Sequence, residues 1–235
     1  MLRDSFPPVF FNGSPLSVKH QRGFSLIEMA IVLLVVGLLV GGSLIPLSVQ
    51  IEKQDRDATQ RQLDDIRVAL IGFVLSNGRL PCPDVDNDGL GDGVASCTAV
   101  EGLFPWVDMG LGQQDAWGQP FTYRITNSFA DASDGTGCTA PTVGVSLSLC
   151  SLGDITVFDS VGGNFVALAL PAIVLSQGKN WAVTVNGDEL ENTDNDAVFV
   201  RRGYSNNSAS TFDDLMIWVP TNVLKSNLVS AQLLP

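Results

Sequence analysis

The chain sorts apolar from polar positions by region before it sorts them by face. From Met29 to Ile51, MAIVLLVVGLLVGGSLIPLSVQI runs for 23 residues without a charge, between Glu28 and Glu52. As a helix, a run of that length crosses the hydrocarbon core of a bilayer. Charges return at Glu52 and the pattern changes: Leu63, Ile66, Ala69, Leu70, Phe73 and Val74 recur every three or four residues, which marks one face of an amphipathic helix. Asp57 and Arg61 form an i,i+4 pair on the opposite face. Asn77-Gly78 supplies a left-handed cap and Pro81 forbids continuation. The pattern therefore predicts one long helix from Phe24 to about Asn77, bent near Gly41-Gly42 and Pro46. Two helices separated at Pro46 are the competing reading, because proline removes a helix hydrogen bond.

Beyond Leu80 about 155 residues remain, ample for one core. Phe121–Ile125 and Trp181–Val185 alternate apolar and polar, and in the second Trp181, Val183 and Val185 share a face. Phe165–Leu170 and Leu215–Val219 are continuous apolar runs, expected as more deeply buried strands. Gly- and Asp-rich connectors separate these segments, and Thr221 is placed to cap a terminal helix over 222–233. A long helix against an antiparallel sheet is an α+β arrangement.

Dividing the chain explains its composition. The whole is 45% apolar but only 16% charged, with a net charge of −12; soluble chains average about 25% charged residues. The hydrophobicity is concentrated in the first helix. The acidity lies beyond Arg79, where 18 acidic residues face 5 basic ones. Such a head disfavours phosphate-backbone binding, which wants net positive grooves, so no nucleic-acid partner is expected.

Lys19, His20 and Arg22 flank the apolar run, and positive charge there keeps the amino terminus in the cytoplasm and exports the rest. The run is too long for a secretory signal peptide and no A-x-A site follows it. At the junction stands Gly23-Phe24-Ser25-Leu26-Ile27-Glu28, a carboxylate at the mouth of an apolar span. An interfacial glutamate whose side chain reaches the headgroups is the plain reading. However, glycine followed by this pentapeptide, after a basic flank and before about 20 apolar residues, closely resembles the type IV prepilin processing motif. That family comprises type IV pilins and type II secretion pseudopilins, and Pro46 is placed like the helix-distorting proline of many pilins.

The resemblance implies a fold and a life history. The fold is pilin-like, its long helix membrane-spanning in the first half and packed on an antiparallel sheet. Residues 1–23 would be a leader, 24–51 the transmembrane and assembly helix, 52–78 its amphipathic continuation and 79–235 the acidic head. A prepilin peptidase would cut after Gly23, and the new amine of Phe24 would be methylated. Glu28 would pair with the Phe24 amine of a neighbouring subunit and set the register of the assembled helices. A leader of 23 residues is long for the family and points to a start codon further along the chain. Two head segments support the resemblance: Asp115-Ala-Trp-Gly-Gln-Pro-Phe-Thr-Tyr123, similar to a block of major pseudopilins, and Phe212–Val219, similar to the last strand of related proteins. In the first block Gly118 permits a turn, Pro120 starts an edge strand, and Trp117, Phe121 and Tyr123 are expected in the core.

Cys82, Cys97, Cys138 and Cys150 all fall on the exported side, where disulfides persist. Three pairings are possible; proximity favours Cys82–Cys97 and Cys138–Cys150 over a zinc site, whose C-x-x-C spacings are lacking. The segment Asp84–Asp92 places Asp84, Asp86, Asp88 and Asp92 at positions 1, 3, 5 and 9 of an EF-hand-like loop with Gly89 at position 6. Ala95 replaces the glutamate of position 12. The loop is read either as a calcium site, as the major pseudopilins possess, or as a solvated acidic turn; Asp188–Asp196 has similar character.

Cleavage after Gly23 removes Arg3, Lys19 and Arg22 against Asp4, leaving −14, and takes away the only histidine, His20. Histidine-based catalysis is then closed to the mature chain. Ser176-Gln-Gly-Lys179 satisfies S-x-x-K but follows an apolar strand, with no K-T-G downstream, and reads as a turn. Asp213-Asp214 is a carboxylate pair with no cleft signalled around it.

The sequence thus reads as a non-enzymatic structural subunit, held in lipid as a single-pass inner-membrane protein with an external head until it is drawn into a filament. Its expected partners are the peptidase, other subunits, an inner-membrane platform and an assembly ATPase. The alternative is a minor tip pilin whose acidic loops bind a ligand or initiate assembly; a membrane-tethered periplasmic hydrolase is a third class.

Overall fold

The computed structural model describes residues 23–93, 96–130, 147–183, 187–207 and 210–234, without the side chains of 42–47. Helix α1 spans Leu26–Asn77. The chain divides within it into two compact units, Met1–Ser48 and Val49–Pro235.

In the first unit every described helical residue up to Gly41 is exposed. The Ser25 hydroxyl accepts the Glu28 N–H at 3.2 Å. With Ser25 just before the helix and Glu28 at its third position, this is the Ser-x-x-Glu spacing of a capping box. Among the described residues no helix is long and apolar enough to cross a membrane. The uncharged run 29–51 includes positions 42–47, whose side chains lie outside the description.

In the second unit α1 ends where Asn77-Gly78 predicts: Gly78 adopts φ 69° and its N–H returns to the Val74 carbonyl at 2.8 Å. The head then runs through β1 (Glu101–Leu103), α2 (Trp106–Met109), β2 (Thr122–Ile125), a 3-10 turn (Asn127–Phe129), β3 (Ile155–Phe158), β4 (Phe165–Leu170), β5 (Ala172–Ser176), α3 (Asp188–Glu191), β6 (Val198–Val200), β7 (Leu215–Val219) and α4 (Thr221–Ser230). One sheet, ordered β1-β2-β5-β7, is antiparallel throughout. A second, ordered β4-β3-β6, pairs β3 antiparallel with β4 and parallel with β6. The architecture is mixed α+β, an N-terminal helix followed by an antiparallel sheet.

Two cores share the first sheet as a wall. On one face Leu63, Ile66, Leu70 and Val74 of α1 meet Tyr123, Ile125, Ala172, Val174, Ile217 and Val219. On the other, Ile173, Leu175 and Met216 meet Ile155, Val157, Leu170 and Phe199 of the second sheet. The alternation of a strand sends successive β5 residues into opposite cores, so all five are buried.

Several expectations change here. Trp181–Val185 is no strand among its described residues: the Val183 N–H closes a turn on the Asn180 carbonyl at 2.7 Å, and Trp181 and Val183 are exposed; Val185 lies outside the described residues. Gly178, at φ 64°, and the Asn180 carbonyl set a turn where the strand would begin. β4 is formed as expected, but its first two residues are exposed because it is an edge. β2 is interior rather than an edge strand, with Pro120 two residues before it. Phe121 and Tyr123 fill the core, whereas Trp117 is only half-buried. Thr221 does not cap α4; its hydroxyl donates to the Ala169 carbonyl at 2.5 Å, and Pro220 precedes the helix.

Candidate functional site

Gly23 and Phe24 precede α1 and are exposed, and an added Cβ at Gly23 would meet nothing within 4 Å. Glu28 stands in the first turn, also exposed, with its backbone held by Ser25. Phe24 is 77% exposed and Leu33 68%. A helix that is hydrophobic all round is of the kind that is buried in a core, a bundle or a membrane.

The acidic loop is built around Asp84, which is fully buried. Its Oδ1 accepts N–H groups from Asp86 at 3.1 Å and Asn87 at 2.6 Å, and its Oδ2 accepts from Gly89 at 2.8 Å. Asp86 and Asp88 repeat the device on the N–H groups two residues ahead. Gly89 is required at φ 87°: a Cβ there would lie 2.4 Å from Val107 and 2.6 Å from Trp106. Asp84, Asp86 and Asp88 each bring an oxygen within 4.8 Å of the others. Asp92 is apart from this trio, its Oδ2 taken by the Val85 N–H at 2.6 Å, so three of the four expected ligands converge. Desolvation, then the neighbouring carboxylates, raise the Asp86 carboxyl above its ordinary value.

The Cys82–Cys97 bridge closes this loop with a Cα separation of 5.2 Å, the pairing that proximity favours. Of the second expected bridge, Cys138 lies outside the described residues. No cysteine among the described ones is free.

The Asp115 block folds as one turn. Asp115 Oδ1 accepts the N–H groups of Trp117 and Gln119, both at 2.9 Å, and Gly118 takes φ 79° between them. Asp115 Oδ2 accepts the Ser176 hydroxyl. The serine of the S-x-x-K match is therefore occupied, and its lysine, Lys179, instead pairs with Glu52 of α1 at 3.5 Å. The serine and lysine of the motif thus have different partners, Asp115 and Glu52.

Sequence reasoning missed one constellation. Glu189, Asp213 and Asp214, from α3 and the approach to β7, each bring a carboxylate oxygen within 4.8 Å of the others. Glu189 accepts the Asp213 N–H at 2.9 Å and the Asn180 amide at 3.0 Å. Asp213 Oδ2 accepts the N–H groups of Lys179 and Asn180, while its buried Oδ1 has no partner among the described residues. Asp214 receives the Asn192 amide at 2.7 Å. Burial drives Asp213 up to about 6 and Asp214 up to about 7, and the Glu189 charge adds to both. A cavity of about 220 Å³ opens here, walled by Trp181, Val183 and Leu190 with Glu189 and Asp214 in its lining, so Asp213-Asp214 does have a cleft beside it. A signal was present: two aspartates leading an apolar strand point to opposite faces, so one must turn inward.

A family model for the prokaryotic N-terminal methylation motif matches residues 18–44. No curated protein and no solved structure matches the chain. The match covers Gly23, Phe24, Glu28 and α1 as far as Leu44, and the motif is characteristic of type IV prepilins and pseudopilins. It implies processing by a prepilin peptidase and assembly with other pilin-type subunits.

Proposed function

We propose that this chain is the precursor of a structural subunit of a type IV pilus or type II secretion pseudopilus. The observation that carries the reading is a methylation motif at 18–44 that coincides with a helix whose apolar residues as far as Gly41 are exposed. Such a helix is covered first by lipid, as a single inner-membrane span with the head in the periplasm, and then by the helices of neighbouring subunits. The peptidase cuts after Gly23, the Phe24 amine is methylated and keeps its charge, and Glu28 pairs with that amine on a neighbour. An inner-membrane platform and its ATPase draw processed subunits out of the bilayer. The head is pilin-like and non-enzymatic, contributing lateral contacts and a surface.

The test is Gly23→Ala in cells that assemble the wild-type chain. The unprocessed 25.0 kDa form should accumulate in the membrane with no filaments. A shortened product together with normal filaments would overturn the reading. One observation favours a ligand-binding role at a filament tip: the Trp181-walled cavity with buried carboxylates. Abundance in purified filaments separates the two, since a tip protein is scarce there.

A further inference from the structure

Among the described residues β4 is an edge of the second sheet with no partner strand on its outer side, and Phe165 stacks only on Phe158 of its own sheet, at 4.8 Å. Phe165 is 63% exposed, Val166 42% and Leu168 54%. Register shifts against β3 and a left-handed Ala169 (φ 55°) break the alternation, so that Ala167 and Leu170 both pack on the second core while Phe165, Val166 and Leu168 stay exposed. Proteins ordinarily blunt such an edge with charge, proline or a cover, because it recruits other chains. A groove of about 400 Å³ runs beside β4, lined by Leu152, Leu168 and Trp218 with Lys225 of α4 in its wall. A contiguous apolar patch of this kind marks an interaction site.

The charge around this surface identifies the occupant. From Ser160 to Gly178 no residue is charged, within a head of 18 acidic and 5 basic residues. Lys225 donates to the carbonyls of Leu149 at 2.7 Å and Ser151 at 2.6 Å, and none of the ion pairs among the described residues involves it. Two heads of this chain repel wherever acid faces acid. Against β4 that repulsion falls away, and Lys225 offers a cation to carboxylates on the incoming surface. Polymerisation supplies such an acidic partner at high effective concentration, namely another copy.

We propose that β4 and the Lys225 groove form the surface by which one head docks on a second copy of this chain, β4 facing a different, acidic surface of its neighbour. Such a heterologous contact propagates into an open filament, whereas a self-complementary patch closes into a dimer. The proposal rests on the subunit reading above and adds to it where the heads touch.

The experiment places a photo-crosslinking phenylalanine analogue at Leu168 of the full chain, in cells that process and assemble it. The expected product is an adduct of two copies, with the neighbour's crosslinked peptide in an acidic segment away from β4. With the analogue at Phe165 instead, Leu168→Glu should lower that adduct by about tenfold. Lys225→Gln, which keeps donors for the two carbonyls, should lower it too. Retention of the Cys82–Cys97 bridge in each variant shows that the head has folded. The proposal falls if no adduct of two copies forms, if the crosslink joins β4 to β4, if only lipid or other proteins are captured, or if neither substitution changes the yield. Sedimenting filaments from the same cells judge the subunit reading separately: filaments without the adduct reject the surface alone, and absence of both rejects the surface and counts against the reading.

Discussion

The Ser176 hydroxyl donates to Asp115 at 2.6 Å across 61 residues of sequence, and both side chains are buried. Asp115 thereby fixes its own turn and fastens that turn to the end of β5. Asp115→Ala would remove the acceptor for two backbone N–H groups and strand a buried hydroxyl. A loss of about 2–3 kcal/mol is expected, and Ser176→Ala should cost less. Denaturant unfolding of the full chain in detergent measures both, and equal stability of wild type and Asp115→Ala would contradict this assignment.

Reduction of Cys82–Cys97 releases a loop whose ends are 15 residues apart. The chain-entropy model gives about 3 kcal/mol for a loop of that size. Cys82→Ser with Cys97→Ser should lower the melting temperature and expose 83–93 to protease first, as limited proteolysis with mass mapping would reveal.

Stability of the head should decline as pH rises from about 4 toward 7. Asp213 and Asp214 hold their protons in the folded state up to about 6 and about 7, because burial penalises their charged forms. Over that interval the folded state binds more protons than the unfolded one, so unfolding free energy falls with increasing pH. The contribution of Asp214, 7% exposed, is on the order of a few kcal/mol. Asp214→Asn should flatten this part of the profile and raise stability at pH 8. Melting temperatures at stepped pH decide the matter; a rising wild-type profile between 5 and 7 would show that other groups dominate.

Glu28 serves two possible ends that one substitution separates. Glutamine keeps the length of the side chain and leaves the backbone N–H that the Ser25 hydroxyl accepts but carries no charge. If charge pairing with the Phe24 amine sets filament register, Glu28→Gln is processed normally and fails to assemble. Filaments at wild-type yield would remove the charge of Glu28 as the determinant of register.

Calcium at the acidic loop is proposed on Asp84, Asp86 and Asp88. They supply positions 1, 3 and 5 of a calcium loop without positions 9 and 12, and water would complete the shell. Chelation should lower the melting temperature of the full chain by a few degrees, and Asp88→Asn should abolish the difference. An identical melting curve with and without chelator would leave the loop as a self-capped turn.

Local signals were readable where one short segment decides the outcome. Asn77-Gly78 and Pro81 ended α1, the Leu63-to-Val74 stripe chose its buried face, and Leu215–Val219 became a strand by apolar content alone. What escaped were relations between distant segments. Ala172–Ser176 drew no expectation from its sequence, yet it is an interior strand buried at every residue, because both of its faces meet layers supplied by other parts of the chain. The second sheet depends on β3 pairing in parallel with β6, a long-range choice that no local pattern announces. Of the site residues, the trio Asp84, Asp86 and Asp88 follows from spacing along one loop. Glu189 with Asp213 and Asp214 does not, since 24 residues separate the Asp213 N–H from its Glu189 acceptor and only the fold brings them together.

β5 belongs equally to both cores: Ala172 and Val174 lie against α1, while Ile173 and Leu175 lie against the second sheet. Neither core can loosen without uncovering the reverse side of the same five residues. Loss of either layer would therefore leave one face of β5 bare, which couples the two layers through a single strand. If the proposed subunit reading holds, a pull on α1 would be felt first by its buried stripe Leu63–Val74 and, through that core, by both layers that meet on β5.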